Sequence, residues 1–214
     1  MVGRLRLEGD VEATRGAIAR WFAARGRDRF TWCVGDLAVP HDLASELLDL
    51  GATPDPEDPI LTCMTLTEEP PAVPGVETRV VRDYDEFATT RELTWDAFGI
   101  DESARVLMRS RLPEVWTDIQ KHSTQTWVAL IDNEIVATAA ADFLGECVLL
   151  AAGATAPHAR GRGAYRALVR ARWDAAVRSG TPALVAQAGQ MSRSILERLG
   201  FRELGRLRVL VDRT

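Results

Sequence analysis

Little cysteine, no long apolar run and no surplus of positive charge characterise this sequence, and each absence removes a class of protein. The three cysteines in 214 residues, Cys33, Cys63 and Cys147, stand singly inside apolar stretches and form no CxxC pair. That usage suggests neither a zinc site nor a disulfide framework. Three buried, reduced thiols acting as small core hydrophobes are expected, and no metal. No apolar run reaches the roughly 18 residues of a membrane span, so no membrane partner is expected. The opening MVGRLRLEGDVEATRG turns charged before an apolar stretch of signal-peptide length has formed, and the expectation is a cytoplasmic protein. The formal net charge is −5. Neutralising phosphates takes a broad basic surface, so nucleic acid is not an expected partner and any anion site must be local.

What the sequence does contain is an ordinary globular balance, 46% hydrophobic and 27% charged residues. The length suits one large domain or one plus a fraction. The Pro and Gly pairs in TEEPPAVPGVE (67–77) read as a linker. Before it, Asp10 can cap a helix with Ile18, Trp21 and Phe22 on one side, closing at Gly26. A strand at 30–35, a short helix at 42–51 and a strand at 60–66 follow. After it come an alternating strand at 76–83 and a helix opened by Asp83 and Glu86 as a capping box. A second helix, about Glu102 to Gln120, should kink or restart at Pro113. A hairpin at 126–132 and 135–143 turns at Asn133, and a strand at 146–155, apolar on both faces, reads as central. From Gly163 the spacing of Tyr165, Leu168, Val169, Trp173 and Val177 predicts a helix ending at Gly180. A strand (183–188), a helix (191–200) and a strand (206–211) close the chain. SELLDLG (45–51) and SILERLG (194–200) share Ser, Leu, Leu and Gly in register, a weak internal repeat.

Between the central strand and its helix lies ATAPHARGRGAYRALV (154–169). Backbone N–H groups at a helix start lack partners and the macrodipole adds positive charge, so an anion fits there. Gly161 and Gly163 allow close approach, and Arg160 and Arg162 can add charge-assisted hydrogen bonds, an assembly suited to a pyrophosphate. A Walker loop would need GxxxxGK with Ser or Thr, and a dinucleotide fingerprint GxGxxG; here Arg166 holds the third position, so both fail.

The run Thr155–Tyr165 resembles the acyl-CoA signature of the GNAT N-acetyltransferase superfamily, Arg or Gln, any two, Gly, any one, Gly or Ala. Arg160 and Gly163 match its first two fixed positions, and ILERLGF (195–201) is similar to the family's late helix and turn. The resemblance covers about 76–214. It implies the GNAT acyl-CoA N-acyltransferase fold, α/β (α+β), with a central mixed, mostly antiparallel sheet flanked by helices. The domains it implies are a partial GNAT-like strand-helix-strand unit with a leading helix at 1–70 and an acetyltransferase domain at 71–214. It implies acetyl-CoA as acyl donor and an amine acceptor. Pantetheine would lie along Gly153, Ala154 and Thr155. The pyrophosphate would sit on Arg160, Gly161, Arg162, Gly163, Ala164, Tyr165 and Arg166, with Gln187 and Ser192 toward the thiol end.

Tyr165 stands where the family usually has a small residue, so its ring should turn to the core. Leu196 stands where the family often has the tyrosine that protonates the leaving thiolate. Ser192 or Ser194 is a candidate to orient a water that protonates it instead; for a base, Glu146 and Asp142 are candidates, with Glu92, Asp96 and His122 in the helices beside the acceptor site. Trp95, Phe98, Trp116 and Phe143 are candidates to line an acceptor channel. The leading expectation is an N-acetyltransferase acting by direct amine attack, its oxyanion met by N–H groups near Ala154 and Thr155. The alternatives are a silent CoA-binding or regulatory module, and a structural or partner-binding protein. An exposed edge at RLRVLV would allow a homodimer.

Overall fold

A computed structural model describes residues 5–214; Met1–Arg4 of the opening stretch lie outside them. Along the chain run α1 (Val11–Ala23), β1 (Arg29–Gly35), α2 (Leu43–Asp49), β2 (Thr53–Pro54), β3 (Ile60–Leu66), β4 (Glu77–Val80), α3 (Tyr84–Ala97) and α4 (Glu102–Ile119). Then follow β5 (Thr124–Ile131), β6 (Glu134–Phe143), β7 (Val148–Thr155), α5 (Ala164–Arg178), β8 (Leu184–Ala188), α6 (Gln190–Arg198) and β9 (Arg202–Arg213). Most pairings are antiparallel, and β7 with β8 is parallel. The chain forms two compact units. The first holds the residues up to Met64 together with Gln187–Glu197 and Arg202–Thr214, and the second holds Thr65–Ala186 and Arg198–Phe201.

In the first unit β9 pairs antiparallel with β1 from Arg29↔Arg213 to Gly35↔Leu207, and β2 pairs with β9 at Thr53↔Val211 and Pro54↔Leu210. RLRVLV is therefore not a free sheet edge, and the route to a homodimer through it is withdrawn. Its alternating apolar residues are spent on β1 and on a core of Phe30, Trp32, Leu43, Leu47 and Leu210. Asp10 caps α1 by accepting the Ala13 N–H at 2.7 Å. Phe22 stacks on Phe30, but Trp21 is 52% exposed, with the Arg25 guanidinium 3.7 Å from its ring. The apolar side expected of α1 is thus narrower than its sequence. Both stretches of the suspected repeat are short helices stopped by a left-handed glycine, Gly51 (φ 101°) and Gly200 (φ 94°).

The second unit carries the strand order β8-β7-β6-β5-β4. β5 and β6 form a hairpin whose central residues, Asp132 (φ 52°) and Asn133 (φ 66°), both take the positive φ that a tight hairpin turn demands. Asp83 caps α3 by accepting the Glu86 N–H at 2.9 Å. The Glu86 carboxylate reaches back one residue further than the capping box predicts, to the Arg82 N–H (2.9 Å), because Arg79 draws it there with two bonds of 2.7 Å. α4 runs through Pro113 without a break, against expectation. Arg105 and Arg109 tie it to Asp96 and Glu92 on α3, and Leu112 is buried in the core beside Phe87, Trp95 and Val128, so tertiary contacts outweigh the lost backbone bond.

Candidate functional site

β7 is regular only in its first half. Val148, Leu149 and Leu150 pair with Leu184, Val185 and Ala186 of β8, while Ala151 and Gly153 are exposed. The strand is central at one end and open at the other, which narrows the expectation of a strand covered throughout. Across the β6 ladder the register passes from Ala140↔Ala151 to Thr138↔Ala154, so Ala139 faces both Ala152 and Gly153. This is a β-bulge, and Ala152 carries its left-handed backbone, φ 49°. Ala154 and Thr155 stay in register with Thr138 and Ala137. The irregular backbone therefore lies one to two residues before the position expected for an oxyanion site.

From Thr155 the chain passes through a 3-10 turn, Pro157–Ala159, into the arginine and glycine loop. Gly161 (φ 78°) and Gly163 (φ 90°) are both left-handed, and a Cβ on Gly163 would stand 2.9 Å from Val73. Glycine is required there twice over, by dihedral and by space. Gly163 is the N-cap of α5, and the Ala167 N–H bonds its carbonyl at 2.9 Å. The N–H groups of Ala164, Tyr165 and Arg166 therefore have no acceptor within the helix and point out of its start. Arg160, Arg162 and Arg166 are exposed around this mouth, Arg162 within 3.3 Å of Asp132. Two left-handed glycines, an open helix start and three exposed arginines thus fall within Arg160–Arg166, a combination whose chemistry suits an anion.

The ring of Tyr165 lies against β7, with Cε2 2.7 Å from where a Gly153 Cβ would stand. The side chain thus leaves the loop mouth and covers the bulge. Leu168, Val169 and Trp173 are buried as their spacing predicts, but Val177 is 49% exposed. Arg172 takes a buried place in that stripe. Its residue exposure is 1%. Nε donates to the Leu168 carbonyl at 2.9 Å and Nη1 to the Ala140 carbonyl at 3.0 Å, while Nη2 has no partner among the described residues. Burial lowers its pKa, with the Tyr165 phenol acting in the opposite sense.

The remaining candidates are dispersed. Asp142 accepts the Thr124 hydroxyl at 2.5 Å and Glu146 is exposed in the turn before β7; both stand at the end of β6 and β7 away from the loop. Glu92 and Asp96 are bound to Arg109 and Arg105, so neither is a free base. Trp95 is core, Phe98 is 56% exposed, Trp116 packs on Phe87, and Phe143 is half-buried. His122 borders a cavity of about 330 Å³ with Trp116, Ile119, Val81 and Arg82. Thr124, Gln125 and Thr126 also line it, at the end of β5 opposite Ile131, which leads into Asp132. Gln187 and Ser192 belong to the first unit, where Gln187 is exposed and the Ser192 hydroxyl donates to the Gly189 carbonyl at 3.2 Å. There Asp58 accepts the Gln190 N–H at 3.0 Å, and a Cβ on Gly189 would meet its carboxylate at 2.5 Å.

Sequence reasoning missed the bulge, Val73 and Arg172. The stretch expected as linker is docked in the second unit: Arg170 bonds the Pro70 carbonyl (2.9 Å) and Glu69 (2.5 Å), and Val73 reaches Gly163. For Arg172 a signal was present, since it follows Leu168 by four residues and so shares its buried face.

The sequence matches the model of the acetyltransferase (GNAT) family over residues 87–201. No curated protein matches it significantly. Among solved structures it is similar to a GCN5-related N-acetyltransferase from Kribbella flavida, at 20% identity and TM-score 0.70, covering 97% of this chain and 77% of that one. It is also similar to a tandem GNAT protein from the clavulanic acid biosynthesis pathway, at 15% identity and TM-score 0.67 over 94% of this chain and 69% of that one. A third likeness is to a predicted acetyltransferase with acetyl-CoA from Clostridium acetobutylicum, at 18% identity and TM-score 0.50 over 59% of this chain and 90% of that one. At these identities the likenesses speak for fold. The family model spans more than half of the 214 residues, from within α3 to the start of β9 and across the whole loop, and the chain belongs to the GNAT family of acetyltransferases.

Proposed function

We propose that the chain transfers an acetyl group from acetyl-CoA to the amine of a small molecule or peptide. One observation carries the reading: a left-handed Gly161 and Gly163 open α5 amid three exposed arginines, directly after a strand whose bulge leaves Ala151 and Gly153 uncovered. The pyrophosphate would sit on the N–H groups of Ala164, Tyr165 and Arg166 with Arg160, Arg162 and Arg166 around it, and the pantetheine would run along β7 from Thr155 toward Gly153. That the Clostridium acetobutylicum structure was obtained with acetyl-CoA supports this choice of donor.

The neutral amine attacks the thioester carbonyl, so a C–N bond forms and the carbonyl electrons move onto oxygen. Backbone N–H groups at the Ala152–Gly153 bulge would meet that oxygen. Collapse breaks the C–S bond, its electron pair leaves on sulfur as the thiolate, and the ammonium proton passes to solvent. Leu196 is buried and bears no hydroxyl, so the thiolate receives no proton from that position. A thiol of pKa about 8.5 is still a workable leaving group.

The test is a free-thiol assay with acetyl-CoA over a panel of amines, run with thermal melts in acetyl-CoA, ATP and NADH. Amine-dependent thiol release with stabilisation by CoA species alone is expected, and no stabilisation by CoA species would sink the reading. An Arg160→Ala and Gly163→Val double variant should lose acetyl-CoA binding by about tenfold or more, since charge-assisted bonds and the loop dihedral go together. Unchanged binding would place the phosphates elsewhere. A second reading, a CoA-binding regulatory module, draws on Leu196 and on the engagement of Glu92, Asp96 and Asp142 in other bonds. Stabilisation by CoA without turnover on any amine would favour it.

A further inference from the structure

Two charged side chains are almost wholly buried among the described residues, Asp212 and Arg172, and they differ in one respect. Asp212 is neutralised by two bonds of 2.7 Å from Arg15 and takes a third from Trp32 at 3.1 Å. Arg172 has carbonyl acceptors for Nε and Nη1 and the Tyr165 phenol beside it, no carboxylate partner among the described residues, and an Nη2 that meets no acceptor in good hydrogen-bond geometry. Buried charges are ordinarily paired, and an apolar side chain of similar length would fill the same space with less penalty. A charge retained unpaired in the interior therefore asks for a function.

Its neighbours define where that function acts. Nη1 bonds the carbonyl of Ala140, which faces Ala151 across the ladder at the point where the register shifts. Tyr165, whose phenol favours the charged guanidinium, presses its ring on Gly153. Arg172 thus flanks residues 151–153 through both partners, one strand away from the bulge.

We propose that Arg172 is a positioning residue that fixes the β7 bulge through Ala140 and Tyr165 and whose unspent charge stabilises the departing CoA thiolate. This rests on the acyl-CoA reading above. When the C–S bond breaks, the electron pair stays on sulfur, and the protein offers no hydroxyl at Leu196 to protonate it. A fixed cation in a poorly solvated site meets that charge without moving and without exchanging a proton. Two unit charges about 10 Å apart at an effective dielectric near 20 attract by on the order of tenfold in an equilibrium constant.

The experiment compares affinities for CoA and desulfo-CoA, which lacks the sulfur, by calorimetry at a pH above the free thiol's value of about 8.5. It uses the full chain, Arg172→Met and Arg172→Lys, with a thermal melt of each. The unaltered protein should prefer CoA by about tenfold. Arg172→Met should bind both ligands alike even if it melts lower than the parent, whereas a merely structural role would weaken both ligands equally and leave their ratio unchanged. Arg172→Lys should keep part of the preference, and it decides the matter if the methionine variant does not fold. A preference unchanged in Arg172→Met, lost in a folded Arg172→Lys, or missing from the parent despite tight binding of both ligands would overturn the inference alone. Binding of neither ligand to the parent would overturn the acyl-CoA reading and this inference with it.

Discussion

Gly153 and Tyr165 compete for one volume. A methyl group at 153 would stand 2.7 Å from the ring, inside any real carbon contact, so Gly153→Ala must push Tyr165 or the strand aside. Overpacking of this kind costs about 1–3 kcal/mol. The loss should appear in urea unfolding of Gly153→Ala and shrink in the Gly153→Ala, Tyr165→Ala double variant, because the clash partner is gone. Equal losses in both backgrounds would show that the ring is not what excludes a side chain at 153. The inward turn of Tyr165 was legible from its place in the apolar spacing of α5. The identity of the residue it covers was not, because twelve positions separate them along the chain and only the packing of α5 on the sheet joins them. Arg172 shows the converse: its spacing gave burial and its charge argued for solvent, and packing decided between the two.

At the scale of the element, caps and turns were the most legible features. Asp10 and Asp83 each accept an N–H three residues on, as does Asp101, a cap not singled out from the sequence, and Gly26, Gly51, Gly180 and Gly200 follow their helices with positive φ. These are local interactions, fixed by neighbours in sequence. The start of α3 adds a longer-range partner, since the Arg79 guanidinium, with the Arg82 N–H, holds the Glu86 carboxyl down to about 2, from an ordinary value near 4.3. A carboxyl depressed on folding stabilises above its unfolded pKa, and that contribution is lost as pH falls through the folded value. Glu86 should therefore contribute about 1–2 kcal/mol near neutrality after solvent screening, disappearing between about pH 4.3 and 2. Urea titrations of the parent and Glu86→Gln should converge over that window, and parallel curves would remove this ion pair from the acid response. Pro113 and the β7 bulge were less legible for one reason: whether a helix survives a proline, or a strand admits an extra residue, depends on what packs beside it.

For the whole molecule, the order of segments and their assembly into units part company. The Pro-rich stretch at 67–77 suggested a division near residue 70, yet the first compact unit takes Arg202–Thr214 back to its β1. A fragment ending at Leu66 lacks β9, and with it the partners of the seven paired residues of β1 and the Asp212 carboxylate that Arg15 and Trp32 require. It should be unfolded by circular dichroism, whereas a cooperatively folded fragment would show that this part stands alone. Within the full chain, Asp212→Ala should destabilise by about 3–5 kcal/mol, since it strands Arg15 and the Trp32 N–H; a loss under 1 kcal/mol would mean that water replaces the carboxylate freely. Sequence by itself determined the succession of elements, their caps and turns, and the glycine and arginine loop that leads to the GNAT family, because hydrophobic period, dihedral preference and local charge act between near neighbours. Tertiary structure alone decided that β7 bulges at Ala152, that Tyr165 covers Gly153 and that Arg172 lies buried with no carboxylate partner among the described residues. Each of those depends on which distant side chains share a volume and a dielectric, and no local pattern encodes that.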